Sequence, residues 1–423
     1  MLDIKFIREN KDLVKHAAEV KRLEFDVEKL IEVDDKRKEL QQKFDEKRAF
    51  QNSQGALLTK KETAEDEKKK ILADLAKVKE EMKEAEAELK KVISEWQKLM
   101  ISVPNIPDIS VPEGEPGADN KEVKKWGTIP QFDFTPKSHI EIMENLNMVD
   151  LERGTKVAGF RGYFLKNDGV LLSFAVWQAA FDHFLAKEFT PIIVPSLVKR
   201  EILLGTGYLP QGEEDLYKTP DSEYLAGTAE VATMGMHSDE VLDKKDLPKK
   251  YLAFSPCFRR EAGAHGKDVK GLIRVHEFFK VEQVILCEAS HEESVKYHEE
   301  LNRNTEEFIE KLGIPYHTVI NCGGDLGLGQ VKKYDIELWV PGENTYREIG
   351  STSYFHDFQS RRLNIRYKDD NGKLKFVHSL NSTAIPTPRI LVSLVENYQQ
   401  ADDSVKIPKV LQKYMDGKEK ISK

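Results

Sequence analysis

The side chains best suited to chemistry in this sequence are six basic residues gathered in one short segment. The run FRREAGAHGKDVKGLIRVHEFFKVE predicts two strands, near 251–260 and 273–286, joined by a basic loop. Arginines at the strand ends can hold a polyphosphate through paired hydrogen bonds, and Phe278 or Phe279 offers a stacking face for an adenine ring. The alternative is a hairpin whose charges only keep its surface hydrated. The basic residues are Arg259, Arg260, Lys267, Lys270, Arg274 and Lys280.

Several familiar catalytic signatures are missing from the sequence. There is no GxxxxGK[ST] motif, so a P-loop is excluded. The run GGDLGLG (323–329) has the wrong spacing for a dinucleotide fingerprint, and we interpret it as a turn before the strand YDIELW. HEFF at His276 and HEES at His291 are not HExxH motifs, so each histidine is interpreted as an ordinary surface residue.

The first hundred residues predict a helical arm. A seam of apolar residues runs from Ile71 to Leu99 in steps of four and three, which is the period of a left-handed coiled coil. A weaker seam, interrupted by Arg37, runs from Leu23 to Phe44, and a polar segment (51–70) lies between the two. We therefore expect an antiparallel helical hairpin over 1–105.

Prolines mark the end of this arm. Four prolines fall within 104–116, so we predict a proline-rich linker over 106–122 and a second domain over 123–423. In that domain short apolar runs alternate with turns, without a βαβ period. The expected fold class is α+β, with a mainly antiparallel sheet flanked by helices.

Five segments, in family order, resemble the class II aminoacyl-tRNA synthetases, and among them the seryl-tRNA synthetases. The basic segment is similar to motif 2, and FTPIIVPSLVKREILLGTGYLP, with Pro195, is similar to motif 1. EYLAGTAEVA carries a Thr-Ala-Glu triplet, and YREIGSTSYFHDFQSRR resembles the segment that touches ATP. HSLNSTAIPTPRILVSLVENYQ resembles motif 3, although Pro386 and Pro388 stand where glycines are usual. The heptad arm and VPNIPD resemble the bacterial family's tRNA-binding hairpin.

The resemblance implies that L-serine reacts with ATP to give seryl-adenylate and pyrophosphate. The seryl group then passes to the 3′-terminal ribose of tRNA(Ser), and the use of tRNA(Sec) stays open. Serine's carboxylate is already ionised at pH 7, so positioning and positive charge supply the catalysis. Arg259 is the implied α-phosphate ligand and Arg389 holds the far end of ATP, while Glu348 serves adenine or Mg²⁺. The implied ATP-binding residues are Arg259, Arg260, Glu261, Arg274, Val275, Phe278, Glu348, Ile349, Gly350, Ser351 and Arg389.

Further residues follow from the same resemblance. The serine pocket is formed by Thr228, Ala229, Glu230, Glu282 and Thr383, whose carboxylates and hydroxyls suit an ammonium and a hydroxyl group. Taken singly, Thr228 is equally well explained as a helix N-cap with Glu230 in the first turn, and Glu282 as a solvent-facing strand residue. The family is homodimeric around motif 1, and no zinc is expected. The arm lysines expected to contact tRNA phosphates, unless they only hydrate the arm, are Lys60, Lys61, Lys68, Lys69 and Lys70.

Composition excludes several classes of protein. The 423 residues carry 65 basic and 73 acidic side chains, a net charge of −8, which argues against non-specific nucleic-acid binding. No apolar run is long enough to span a membrane, and the charged N-terminal segment does not resemble a signal peptide. The three separated cysteines form neither a disulfide framework nor a CxxC pair, which favours the cytoplasm.

Two other functions remain open at this point. A related ligase could activate a small amino acid and deliver it to a carrier protein, and the tRNA-binding arm argues against that. A coiled-coil interaction protein could be built on an inactive synthetase fold, and the retention of Arg259, Glu282, Glu348 and Arg389 argues against that.

Overall fold

The computed structural model describes residues 1–58, 64–264, 266, 268 and 270–423, which form two compact units, Met1–Pro104 and Asn105–Lys423. The helices described in the first unit are α1 (Ile4–Glu9), α2 (Lys11–Val20), α3 (Val27–Leu58) and α4 (Glu65–Ile101). Those of the second unit are α5 (His139–Asn145), α6 (Leu151–Ala158), α7 (Asp168–Leu185), α8 (Arg200–Thr206), α9 (Ala229–Gly235), α10 (His291–Leu312), α11 (Phe358–Leu363), α12 (Arg389–Asn397) and α13 (Lys409–Gln412).

Helices α3 and α4 form the expected antiparallel hairpin. Lys36 pairs with Glu88 at 3.0 Å and Lys47 with Glu81 at 2.8 Å. Residues later in α3 thus pair with residues earlier in α4, as antiparallel helices require. The predicted seam faces inward, since its members are buried or half-buried between exposed neighbours. Arg37 interrupts the first seam because its guanidinium lies over the Trp96 ring, 4.8 Å from the centroid.

Both helices extend further into the polar segment than the sequence predicts. Helix α3 continues to Leu58 and α4 begins at Glu65, so α4 alone is roughly 55 Å long rather than the 40 Å of its seam. The segment contains no proline and a single glycine, Gly55, and polar residues with good helix propensity can continue a helix on its exposed side.

The strands of the second unit are mostly short, apart from those of one central sheet. They are β1 (Lys121–Trp126), β2 (Val149–Asp150), β3 (Phe164–Leu165), β4 (Thr190–Ile193), β5 (Leu197–Val198), β6 (Tyr217–Lys218), β7 (Tyr224–Leu225), β8 (Val241–Leu242), β9 (Lys249–Phe258), β10 (Glu277–Cys287), β11 (Tyr316–Ile320), β12 (Lys332–Val340), β13 (Thr345–His356), β14 (Arg366–Lys368), β15 (Leu374–Phe376), β16 (His378–Thr387), β17 (Val405–Lys406) and β18 (Lys420–Ile421).

The central sheet has the order β1-β11-β12-β13-β16-β10-β9-β4. Its neighbouring strands are antiparallel except β4, which runs parallel to β9 at one edge. Helices α7, α10 and α12 pack against this sheet and bury its main apolar core. The predicted α+β fold, with a mainly antiparallel sheet flanked by helices, is confirmed.

Two local features of the sheet shape the surface on which side chains converge. The pairing of β10 with β16 shifts register between Val281 and Glu282, and bulges of this kind often redirect a side chain. Strands β13 and β16 approach closely at Gly350, where a Cβ would lie 2.4 Å from the Cβ of Thr383. Only glycine fits there.

The proline-rich segment that follows the arm is hydrogen-bonded into the second unit. The side-chain amide of the buried Asn105 donates to the carbonyls of Gly329 (3.0 Å) and Phe355 (2.8 Å), and its oxygen accepts from the Ile106 backbone N–H (3.2 Å). Its backbone N–H donates to Leu328, and Gly323 donates to Pro112. The segment therefore fixes the loop that carries Leu328 and Gly329.

Candidate active site

One cavity of about 340 Å³ collects side chains from the middle of the central sheet and from the starts of helices α9 and α12. Strand β10 contributes Phe278, Lys280 and Glu282, and its neighbours β13 and β16 line the adjacent walls. The predicted site residues that line it are Thr228, Glu230, Arg259, Glu261, Val275, Phe278, Glu282, Glu348, Ile349, Gly350, Ser351, Thr383 and Arg389.

A buried carboxylate with three donors forms the most enclosed part of this cavity. Glu282 is 2% exposed and accepts hydrogen bonds from the Thr228 hydroxyl at 2.5 Å and from the Glu230 backbone N–H at 3.0 Å. The Lys280 ammonium pairs with its other oxygen at 3.0 Å and donates to Thr228 at 2.7 Å. The interpretation of Glu282 as solvent-facing is therefore wrong. Thr228 does occupy the N-cap position of α9, but its hydroxyl binds Glu282 instead of capping the helix.

Glu230 is a second buried carboxylate, and both of its oxygens are already occupied. Tyr208 donates its hydroxyl to one oxygen at 2.8 Å, and Gln359 donates its amide to the other at 2.6 Å. Burial and the nearby charge of Glu282 raise the pKa of Glu230 to about 7. Glu282 accepts three hydrogen bonds and Glu230 two, so each carboxylate keeps at least one lone pair for a ligand's ammonium.

Arg259 and Phe278 lie together at the next part of the cavity. The Arg259 guanidinium is 5.2 Å from the centre of the Phe278 ring, and its Nε donates to the Gly227 carbonyl at 3.3 Å. Phe278 lines the cavity, whereas Phe279 stacks on Phe254 in a separate apolar cavity. Of the two predicted stacking faces, only Phe278 is therefore available in this cavity.

Arg389, the first residue of α12, also lines the cavity. Its Nε donates to the Ile273 carbonyl at 2.8 Å and its Nη1 to the Glu348 carbonyl at 3.0 Å. Burial lowers the pKa of its guanidinium. These two bonds tie the end of the basic segment to strand β13 and leave the plane of the guanidinium fixed.

A network of charges borders the cavity on the basic segment. Arg274 donates to Glu261 at 2.9 Å and to Asp268 at 3.0 Å, and Arg347 donates to the second oxygen of Asp268 at 3.0 Å. Arg274 does not line the cavity wall, although Glu261 does. Two other predicted residues also lie outside the lining: Ala229 is buried in α9, and Arg260 is exposed.

Several cavity residues were missed by sequence reasoning. Lys280 was named only as one of the basic residues of the segment, but it binds Thr228 and Glu282. Its position two residues before Glu282 puts both on one face of β10, which was the signal available in the sequence. Tyr208 lies in the segment that resembles motif 1, but that resemblance gave it no role in the site. The run 327–330, interpreted only as a turn, lines the cavity as well.

The remaining predicted residues belong to the arm or concern a metal. Lys68, Lys69 and Lys70 lie in the first turns of α4, while Lys60 and Lys61 lie outside the described residues, as does Lys267. The three cysteines are buried and unpaired with one another. In the described part of the chain, no three His, Cys, Asp or Glu side chains are grouped to hold a metal ion. The helices described there also include none long and apolar enough to cross a membrane.

Comparison with known proteins agrees with this geometry in both units. Residues 216–398 match the class II core domain of tRNA synthetases (G, H, P, S and T), and residues 1–107 match the seryl-tRNA synthetase N-terminal domain. A serine–tRNA ligase of Deinococcus radiodurans is 42% identical over 99% of this chain and 98% of its own length.

Two solved structures are similar over their whole length. Seryl-tRNA synthetase of Pyrococcus horikoshii, complexed with ATP, superposes with a TM-score of 0.91 at 38% identity, covering 100% of this chain and 99% of that one. The cytoplasmic serine–tRNA ligase of Naegleria fowleri, in complex with AMP, has a TM-score of 0.86 at 32% identity with the same coverage.

The antiparallel sheet, its cavity and the core-domain match together define a class II aminoacyl-tRNA synthetase. With full-length relatives at 42% identity, the chain belongs to the seryl-tRNA synthetase family.

Proposed function

We propose that the chain is a serine–tRNA ligase that works at this cavity. Serine's carboxylate oxygen attacks the α-phosphorus of ATP, pyrophosphate leaves, and seryl-adenylate forms. A hydroxyl of the 3′-terminal ribose of tRNA(Ser) then attacks the seryl carbonyl, and AMP leaves. The observation that carries the proposal is that one cavity combines a small polar pocket around Glu282 with an arginine beside an aromatic ring.

The pocket around Glu282 supports serine as the amino acid. A carboxylate fixed by Thr228 and Lys280 can accept the substrate's ammonium without changing its own geometry. The Thr383 hydroxyl faces the same cavity and has no hydrogen bond to the described residues, so it can pair with serine's hydroxyl. The pocket's buried polar groups are satisfied only by a substrate that carries both groups.

Arg259 and Phe278 support ATP as the second substrate. The reaction brings an anion toward a polyanion, so a guanidinium near the α-phosphate lowers the repulsion and stabilises the charge that develops there. Phe278 offers its ring to adenine, and Arg389 adds a second guanidinium to the lining of the cavity. Glu261 and Arg274 hold the basic segment at the mouth of the cavity.

The residues present also fit a magnesium ion delivered with ATP. The Glu348 carboxylate is exposed in the cavity and makes no hydrogen bond or ion pair to the described residues, and the Ser351 hydroxyl lines the same wall. Such oxygen ligands suit Mg²⁺, which would neutralise phosphate charge that the arginines leave uncovered. No zinc enters this proposal.

A homodimer is supported by an exposed apolar face formed by α7, β3 and β4. Ile193 is 83% exposed at the parallel edge of the sheet, and Leu171 and Phe174 are each about half exposed on α7. Beside them lies an apolar cavity of about 750 Å³ that includes Phe164 and Trp177. Large exposed apolar side chains on neighbouring elements are typical of an interaction site. The face coincides with the motif 1 segment and with the helix that precedes it.

The arm supports tRNA as the acceptor. Lys68 to Lys70 give the start of α4 three consecutive positive charges, which can contact RNA phosphates without reading bases. We place the protein in the cytoplasm together with tRNA and ATP, in keeping with its unpaired cysteines.

The decisive experiment is serine-dependent exchange of pyrophosphate into ATP. The wild-type chain should catalyse it, and Arg259→Ala should lower the rate by about 10²- to 10³-fold, with poor rescue by Arg259→Lys. Arg153→Ala, which removes an arginine 75% exposed on α6, is the matched control. Exchange without serine dependence, or an unimpaired Arg259→Ala, would contradict the proposal. Charging assays with tRNA(Ser), tRNA(Sec) and a carrier protein then identify the acceptor.

A further inference from the structure

A buried histidine lies behind the cavity without lining it. His139, the first residue of α5, is 4% exposed. Its Nε2 accepts a hydrogen bond from the Leu272 backbone N–H at 3.2 Å. Its Nδ1 lies 3.0 Å from an oxygen of Glu396, and its own backbone N–H donates to that oxygen at 2.7 Å.

These contacts fix the protonation of the ring. A backbone N–H can only donate, so Nε2 must present its lone pair to Leu272. The proton of a neutral imidazole is then on Nδ1, which donates to Glu396. Glu396 is fully buried, and its second oxygen accepts from the Gly342 backbone N–H at 2.8 Å. His139 therefore connects a fixed carboxylate to one backbone amide.

That amide belongs to the segment that leads from the basic loop into β10. The next residue, Ile273, accepts from Arg389 through its carbonyl, so two successive residues are held from opposite sides. Both attachments lead to helix α12, because Arg389 begins it and Glu396 follows seven residues later on the same helical face. Leu272, Ile273 and Val275 all line the cavity.

The neighbouring Gly271 shows how closely the ring fits. Its φ is +88°, in the left-handed region, and a Cβ at this position would lie 2.3 Å from His139 Nε2. The chain therefore passes directly over the imidazole, and no side chain fits between them.

We propose that His139 and Glu396 are positioning residues that hold the segment 272–275 in the conformation that binds ATP. The inference rests on the proposed function, because it takes this segment to be part of the ATP site. The neutral ring is needed for two opposite tasks at once, accepting from Leu272 and donating to Glu396. An asparagine at position 139 reaches only as far as Nδ1, so it can keep the donor to Glu396 but not the acceptor for Leu272. A glutamine reaches as far as Nε2 and can keep that acceptor.

The test compares His139→Asn with His139→Gln in the full-length chain. We expect His139→Asn to raise the KM for ATP and the calorimetric Kd for ATP about tenfold, because the Leu272 N–H is left buried without an acceptor. The KM for serine should stay within about twofold, and His139→Gln should recover most of the ATP affinity. The control is His237→Asn, which alters another buried histidine that contacts Glu240 and Tyr251 away from the cavity.

Two results would overturn the inference. One is wild-type ATP affinity in His139→Asn. The other is an equal loss of affinity for ATP and serine in both variants, which indicates a general structural role. Should the variants not fold, nitrogen-15 shifts of the wild-type ring decide instead, because a proton on Nε2 contradicts the proposal. Failure here is distinct from failure of the proposed function, which Arg259→Ala tests independently of His139.

Discussion

Glu230 and Glu282 lie side by side, yet their surroundings give them different tasks. Glu282 has a lysine and a hydroxyl as partners, whereas Glu230 has only the neutral donors of Tyr208 and Gln359. A buried carboxylate without a cation of its own favours the protonated form. We therefore expect stability to depend on pH through Glu230.

The pKa of Glu230 is raised from 4.5 to about 7 on folding, so the folded chain retains a proton that the unfolded chain has already lost. The free energy of unfolding should accordingly fall as pH rises from 4.5 to 7, by about 3 kcal/mol from this group. Glu230→Gln removes the contribution. Denaturant unfolding measures this at pH 5 and pH 8. The free energy of unfolding of the variant, relative to that of the wild type, should be higher at pH 8 than at pH 5. A difference that is constant with pH would show that Glu230 is ionised in the folded chain.

Thr383 should decide the choice between serine and alanine. Thr383→Val keeps the shape of the side chain but removes the hydroxyl that faces the cavity. We expect kcat/KM for serine in pyrophosphate exchange to fall about 10- to 100-fold, while the value for alanine changes little. Thr352→Val, which alters a buried threonine bonded to Ser382, is the control. Equal losses for both amino acids would exclude Thr383 from recognition of the hydroxyl.

At the scale of elements, the hairpin of α3 and α4 and the central sheet should carry separable activities. The cavity residues all belong to Asn105–Lys423. Deleting residues 1–104 should leave serine-dependent exchange within a few-fold of wild type and abolish transfer to tRNA. Equal charging of tRNA by the shortened chain would reduce the arm to a structural appendage.

A finer version of this prediction neutralises Lys68, Lys69 and Lys70 to glutamine. The slope of the logarithm of the tRNA-binding constant against the logarithm of salt concentration should become shallower by about 2 to 3, about one unit for each lost phosphate contact. The control neutralises Lys90, Lys91 and Lys98, which are exposed elsewhere on α4. An equal effect of both triple variants would indicate general attraction by positive charge.

The elements differ in how well the sequence predicts them, for physical reasons. The seam of α4 and the long strands β9, β10, β12 and β13 were predictable, because period and β-propensity are local properties. Lys280 was predictable only in part, because its spacing from Glu282 is local but its bond to Thr228 forms only through the fold. His139 was not predictable, since its partners Leu272 and Glu396 are far away in sequence. The ends of α3 and α4 were missed because the polar segment was interpreted as a connection, although its lysine, glutamate, glutamine and alanine residues have good helix propensity.

At the scale of the whole molecule, the apolar face of α7 and β4 should make the chain a dimer. Phe174→Asp places a charge in the proposed interface, at a position 51% exposed. The mass measured by sedimentation should fall from that of two chains to the 48.5 kDa of one chain. Leu72→Asp, at an exposed apolar position of the arm, is the control and should remain dimeric. A wild-type chain that sediments as a monomer would contradict the dimer.

The strand order of the central sheet also bears on how the chain is made. Strand β10 lies between β9, its immediate predecessor, and β16, and the β10–β16 pairing extends from Phe279 with Thr387 to Cys287 with His378. During synthesis one edge of the hairpin of β9 and β10 therefore stays unpaired until β16 has left the ribosome. Helices α3 and α4 of the arm pair with each other and are complete at Ile101. We expect the arm to fold early and the sheet to fold late, and the waiting edge of β10 to be the site where a chaperone is needed.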